Sequence, residues 1–350
     1  MATSQKALFL TDKHGDWVVN TTDVPAPDRG QLLVRIEATA LNPVDWKIRE
    51  SGLFVQRFPA VVGSDAAGSV DRVGEGVRDF APGDKVLFQG FFNTVQGTFQ
   101  QYALANADVT AKVPTNVSVD AAATVPLGLA TAALGLFDQY CDASAKLFPP
   151  WDLGGRGKYA GQPFMVFGGS GSVGQYVIQL AHLAGFAPLI ATASPHNAPH
   201  LQSLGATHVL DRALPADALQ AEVRKITRAP IPVIYDAVAH ATTQNAAYDV
   251  LAPGGRLVLT LPEQIDEAKK AAPPAKHVIH IVANVNLPER RKAGQSLYAK
   301  LSGLLEEGAI KPNRHEVLPN GLAGIPDGLE RMKKGQVSAH KLVARPLETP

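Results

Sequence analysis

Two periods of apolar residues divide this chain. Over the first third, short alternating or continuous apolar runs punctuated by Gly and Pro carry the period of β-strands. Residues 5–10 (QKALFL) and 16–20 (DWVVN) pair as a hairpin, and Gln31 to Leu41 (QLLVRIEATAL) alternates as a half-buried strand until Asn42-Pro43 stops it. GSDAAGSVDRVGEGV, APGDKVLFQ, GTFQQYALA and AKVP follow closely enough for an antiparallel, barrel-like domain. From Asp120 the texture changes. DAAATVPLGLATAALGLFDQY is helical in composition, and MVF, QYVIQLAHL, PLIAT, HLQSLG, HVLD, LQAEVRKI, VIYDAV, TQNAAYDVL and RLVLTL then alternate strand with helix, the pattern of a parallel sheet covered by helices. Ala143 to Gln162 has no period and reads as a long surface loop. From about Asn286 a helix (ERRKAGQSLYAKLSGLLEEG) and short strands return, KLVARP among them.

The chemistry concentrates in Pro163 to Asn197, which reads as strand, glycine turn, helix and second strand. Phe164 to Phe167 is the short apolar run of a parallel strand buried on both faces, ended by Gly168. Gly169-Ser170-Gly171-Ser172-Val173-Gly174 follows, a G-x-G-x-x-G, and Val173, Val177, Leu180, Ala181 and Ala184 recur at helical spacing before Gly185. The spacing predicts a sharp turn at Gly169, close approach of a pyrophosphate to the backbone at Gly171, and tight helix packing at Gly174. The helix N-terminus then faces the anion. Pro188 to Thr192 is the second strand. A dinucleotide-binding βαβ unit is therefore expected.

The adenosine end discriminates between cofactors. An NAD site presents Asp or Glu about 20 residues beyond the fingerprint to bond the ribose 2′-hydroxyl. Here Ala193-Ser194-Pro195-His196-Asn197 stands there, offering donors and no carboxylate to repel a 2′-phosphate. NADPH is the expected cofactor. Arg212, after HVLD, either adds charge near the adenosine or is solvated.

Composition narrows the rest. The 350 residues leave room for two domains, and 45% hydrophobic with 19% charged residues is an ordinary globular balance. A net charge of +1 without a basic tract argues against a nucleic-acid partner. The apolar runs fall short of a bilayer span and no secretory signal opens the chain, so no membrane partner and a cytoplasmic location are expected. One cysteine, Cys141, excludes a disulfide framework and a multi-cysteine zinc site.

Across nearly its whole length the chain resembles the zinc-free medium-chain dehydrogenases/reductases, close to the quinone reductases and most similar to the fungal trans-acting enoyl reductases. NPVDWKIR, GSDAAGSVDRVGEGV, PGDKV, LGLATAALGL, FGGSGSVG, SPHN and GQVSAHKLVARP carry the resemblance, in the family's order. It implies an α/β architecture in which a Rossmann doubly wound parallel sheet is inserted into a GroES-like β-rich catalytic domain. The boundaries expected are 1–127 for the first part of the catalytic domain, 128–285 for the NADP-binding domain and 286–350 for the return. The zinc-binding branch carries Cys and His where Asn42 and Ser64 stand here, so no metal is expected.

The resemblance implies a reaction as well. Hydride delivered to the β-carbon of an enone or enoyl thioester puts negative charge on the carbonyl oxygen, which a donor must meet. Lys47 matches a cleft lysine of the enoyl reductases and Thr131 a position beside the nicotinamide; the alternatives are a solvated lysine and a packed helix hydroxyl. Asn42 either lines the pocket or serves as the turn before Pro43, and Lys341 either approaches the cofactor or is a surface charge at a strand end. Quinone reduction, and an NADPH-binding interaction protein with little turnover, are the competing readings. A carrier-protein-bound acyl chain is a further substrate form. The last strand of the parallel sheet is expected near His277 to Val285, and a monomer is expected over a homodimer.

Overall fold

The computed structural model describes residues 3–55 and 57–350. Strands β1 (Ser4–Leu10) and β2 (Trp17–Asp23) form the expected hairpin in antiparallel register. Then come β3 (Gln31–Ala40), α1 (Pro43–Ser51), β4 (Ala60–Val61), β5 (Asp65–Val73), β6 (Lys85–Gln89), β7 (Tyr102–Asn106) and β8 (Thr110–Lys112). The helical run divides into α2 (Val119–Ala122) and α3 (Pro126–Phe137). The alternating part follows as β9 (Phe164–Phe167), α4 (Ser172–Leu183), β10 (Leu189–Ala193), α5 (Ala198–Ser203), β11 (His208–Asp211), α6 (Ala216–Ile226), β12 (Ile231–Asp236), α7 (Ala241–Val250), β13 (Leu251–Leu259), α8 (Glu267–Ala271) and β14 (His277–His280). The chain closes with α9 (Arg291–Glu306), β15 (His315–Val317), α10 (Ile325–Lys333) and β16 (Lys341–Ala344).

Two compact units result. The first comprises Met1–Leu127, Asn284–Gly308 and Pro312–Pro350; the second comprises Gly128–Ala283 and Ala309–Lys311. In the first unit a sheet runs β15-β16-β3-β5-β6-β8 with β7 also on β3, beside a smaller sheet β2-β1-β4. Strand β3 is more deeply buried than its alternation suggests, with only Arg35 exposed between Leu32 and Ala40. The reason is pairing: β5, β7 and β16 share it along its length. One apolar cluster gathers Leu8, Leu10, Val61, Phe99 and Leu342, and another Leu32, Val34, Ile36, Val86 and Phe88.

In the second unit β11-β10-β9-β12-β13-β14 is parallel throughout. Successive strands step one way from β9 to β10 and β11, then the other way from β9 to β12, β13 and β14, so β9 lies at the topological switch point where open α/β sheets bind ligands. Strand β14 stops at His280 and does not reach Val285. Asn284 and Val285 are instead bonded within the first unit, the Asn284 amide to the Gly90 carbonyl (3.0 Å) and the Val285 N–H to the Gln89 side chain (3.0 Å).

Two further expectations change. Residues 143–162 form no helix or strand, yet they are packed. The Leu147 N–H donates to the Leu136 carbonyl and the Tyr159 N–H to that of Ala184, while the Tyr159 ring stacks on Phe186 with centroids 4.8 Å apart. And Val119–Phe137 is, by length and composition, apolar enough to cross a membrane, which the reading of short apolar runs missed. In the fold 78% of its most apolar window is buried, and a turn at 123–125 separates α2 from α3.

Candidate functional site

In the second unit the glycine turn joins β9 to α4. The sharp turn falls on Gly168, whose φ of +71° favours glycine, and not on Gly169 as the spacing predicts. Gly169 is a packing glycine: a Cβ there would lie 3.0 Å from that of Ala191 and 3.2 Å from Ile178 Cδ1. At Gly174 a Cβ would lie 2.2 Å from the Gly168 carbonyl oxygen, so the third glycine sets how closely α4 packs on the strand. A Cβ at Gly171 would meet only that same oxygen, at 3.4 Å, which leaves the approach to the helix start open. The first-turn amides of α4, Ser172 and Val173 among them, lie ahead of the helical ladder, whose first bond runs from Gln175 N–H to the Gly171 carbonyl. Such a terminus suits a phosphate.

The turn is tied to the neighbouring strand. Thr192, on β10, accepts the Gly168 N–H on its hydroxyl (3.1 Å) and the Gly169 N–H on its carbonyl (2.9 Å). Gln175, buried in α4, donates to the Ser170 carbonyl (2.9 Å) and so fixes the loop from the other side. Just past β10, Ser194 is half-buried, His196 exposed and Asn197 buried, its N–H bonded to the Ser194 carbonyl. Arg212 is exposed, with its N–H on the Ala193 carbonyl at the same edge.

Thr131 is buried on α3, and its carbonyl accepts the hydroxyl of Tyr235 from β12 (2.8 Å). Burial lifts the Tyr235 phenol well above its ordinary range, so it remains a donor. One turn further, a Cβ at Gly135 would come within 2.9 Å of the Tyr235 ring, so this helix lies hard against the sheet.

In the first unit the loop positions that carry the resemblance converge on one buried polar cluster. Asn42 precedes α1 and its N–H donates to Asp45 Oδ2 (2.7 Å), which stops β3 and starts the helix together. Its side chain turns inward: Nδ2 donates to Asp65 Oδ2 (2.8 Å) and Oδ1 accepts from Lys341 Nζ (2.8 Å). Lys341 Nζ also donates to Asp65 Oδ2 in a tight ion pair, with the two side chains 4% and 0% exposed. The second Asp65 oxygen accepts the N–H of Leu127 (2.6 Å) at the start of α3, an acidic group where helix amides need one. Lys341 is thus no surface charge. Ser64 Oγ is buried beside these residues in sequence, without a hydrogen-bond partner among the described residues.

Two neighbours carry strongly shifted protons. Burial pushes the Asp45 carboxyl up to about 8; the Asp65 charge adds to this while the Asn42 amide and Lys341 oppose it. The Tyr298 phenol, on α9, is raised by burial and by the charge of Asp65. Lys47 stands apart from the cluster. It is half-buried, its ammonium 5.5 Å from the centre of the Trp46 ring, and burial lowers its pKa while Glu50 pulls the other way.

Asp65, Asp45, Gln175 and Thr192 were missed by sequence reasoning. Asn42-x-x-Asp45 is the spacing of a helix cap and its reciprocal acid, a signal that was available. Asp65 sits in the quoted GSDAAG segment, but its cation lies 276 positions further along the chain.

Comparison with known proteins agrees with this architecture. The alcohol dehydrogenase GroES-like domain family matches residues 28–115, and the zinc-binding dehydrogenase family matches residues 172–282. The trans-enoyl reductase grgB of a Penicillium species is 31% identical over 98% of this chain and 98% of its own. Among solved structures, a mycobacterial quinone oxidoreductase is 25% identical with a TM-score of 0.75, covering 98% of this chain and all of its own. A mycobacterial relative complexed with NADPH is also 25% identical, with a TM-score of 0.78 and the same coverage. The residues here do not fit the zinc of the second family's name. An amide and a hydroxyl stand at two ligand positions, an ammonium already bonds Asn42 and Asp65, and no group of three or more His, Cys, Asp or Glu among the described residues can hold a metal. The chain belongs to the zinc-independent medium-chain dehydrogenase/reductase superfamily, together with the fungal trans-enoyl reductases.

Proposed function

We propose that the protein reduces the carbon–carbon double bond of an α,β-unsaturated carbonyl compound, an enoyl thioester or an enone, with NADPH and without zinc. The observation that carries this reading is full-length similarity to a trans-enoyl reductase in a chain whose zinc positions are Asn42 and Ser64. The residues present fit the cofactor. Gly169, Ser170, Gly171, Ser172, Val173 and Gly174 would hold the pyrophosphate by backbone amides, and Ser194, His196 and Asn197 the 2′-phosphate end, where no carboxylate closes β10. When bound, NADPH supplies the hydride. Lys47 is the donor assigned to the substrate carbonyl oxygen as charge develops there. Thr131 is assigned to orientation of the nicotinamide, and water to protonation of the α-carbon.

The substrate is a small molecule or the acyl chain of a carrier protein, and the enzyme works in the cytoplasm as a monomer. Strand β14 supports the monomer: it is short, His277 and His280 are exposed, and Lys276 precedes it, features that discourage edge pairing. A dimer mass by light scattering at micromolar concentration overturns that part. Quinone reduction is the second reading, favoured by the likeness to the mycobacterial quinone oxidoreductase. The deciding experiment is NADPH oxidation against enoyl thioesters, enones and quinones, with product analysis. Saturated acyl products support enoyl reduction; turnover with quinones alone supports the second reading; tight NADPH binding with neither points to an interaction protein.

A further inference from the structure

We propose that Lys341 is a positioning residue, a tethered cation that takes the place of a bound metal ion in organising the catalytic unit. Three facts carry this. Its ammonium is buried, 4% exposed, at the end of a strand from the far end of the chain. It bonds Asn42 and Asp65 together, and these two are also bonded to each other, so the three side chains close a ring. Asp65 carries the constraint onward within the first unit, because its other oxygen holds the N–H of Leu127 at the start of α3.

A buried charge of this kind is retained only against its partner, and removing one member leaves the other desolvated and unpaired. A buried lysine inside a complete polar ring therefore acts on geometry as a metal does, by drawing anionic and carbonyl oxygens to one point. Two of its three N–H donors are committed to Asn42 and Asp65, so its role in this proposal is to organise these groups. The catalytic part of this inference rests on the enoyl-reductase reading; the structural part does not.

Two experiments separate the parts. In Lys341→Ala, the lost atoms correspond to n-propylammonium. The variant is expected to melt well below wild type, and n-propylammonium is expected to restore the melting temperature saturably while propan-1-ol at equal concentration does not. Equal effects of amine and alcohol, or an unchanged melting temperature in Lys341→Ala, overturn the tethered cation. The second experiment removes both charges in the double variant Asp65→Asn with Lys341→Met. Melting is expected to recover most of the loss seen in Lys341→Met alone, and kcat for the enoyl substrate, measured at saturating NADPH, is expected to be at least tenfold lower with little change in the KM for that substrate. Wild-type kcat in the double variant overturns the positioning role. If the wild-type protein turns over no enoyl or enone substrate, the function proposed above fails, and the amine rescue still decides whether Lys341 is the organising cation.

Discussion

Asp45 shows how one buried carboxyl sets a pH response. Its pKa in the fold is about 8 against an ordinary 3.8, so between these values the folded chain holds a proton that the unfolded chain releases. Stability from this group is full below about pH 4 and falls as pH rises toward about 8. At neutral pH Asp45 is an uncharged acid, and Asp45→Asn preserves an oxygen to accept the Asn42 N–H. With no proton to release on unfolding, the variant should melt above wild type at pH 7 and approach it toward pH 4. Melting curves from pH 4 to 8 should show wild type gaining on Asp45→Asn as the solution is acidified; parallel profiles would mean that Asp45 is already ionised. Ser194 makes the second test at this scale. Charge-assisted bonds to a phosphate are worth about 1.5–3 kcal/mol each, enough for tenfold discrimination. Wild type should prefer NADPH over NADH at least tenfold in kcat/KM, and Ser194→Asp should erase that preference. For the chemical step, Lys47→Ala should lower kcat/KM for the enoyl substrate by about 10² to 10³, as loss of one such donor does, with NADPH affinity intact. Thr131→Ala should lower kcat with modest change in cofactor binding, because hydride transfer needs a near-attack geometry. Wild-type kinetics in both variants would return them to a surface lysine and a packed hydroxyl.

At the scale of elements, the β9 to α4 turn divides its work among glycines in a way that mutations can read. Gly171 has an ordinary φ of −68° and open space around it, whereas Gly174 touches the strand through the Gly168 carbonyl. Gly171→Ala should therefore fold and melt like wild type yet bind NADPH at least tenfold more weakly. Gly174→Ala should melt lower, since overpacking of this kind costs about 1–3 kcal/mol. Isothermal titration with melting data distinguishes the two, and unchanged affinity in Gly171→Ala would place the phosphate elsewhere. The βαβ unit was legible in the sequence because its period, glycines and strand runs are all local. The cluster around Lys341 was not. A lysine near the chain end reads as solvated from composition alone, and its burial is decided by Asp65 and Asn42, 276 and 299 positions away.

For the molecule as a whole, alternating βα texture against Gly- and Pro-punctuated strands sufficed to divide the chain into two kinds of unit, because each period reports a different way of covering a sheet. What that texture leaves unread is the order of strands within a sheet, and that order brings β16 beside β3. The same juxtaposition governs metal chemistry. With an ammonium held by Asn42 and Asp65, protein purified without chelator should show no stoichiometric zinc by elemental analysis, and a chelator should leave turnover unchanged. Stoichiometric zinc whose removal abolishes activity and whose return restores it would overturn this.

Strand β16 lies between β15 and β3, and it carries the only partner cation of Asp65 among the described ion pairs. On the ribosome this ordering becomes a schedule. Chain emerges at about 5–20 residues per second, amino end first. The second unit has nearly all of its residues by Ala283, while Asp65 and Asn42 are made early and wait for Lys341. Until the last strand arrives, the edge of β3 that it will cover and a carboxylate destined for burial remain uncompensated. The first unit thus completes late in synthesis, and the nascent chain carries a finished nucleotide fold between two halves of an unfinished one.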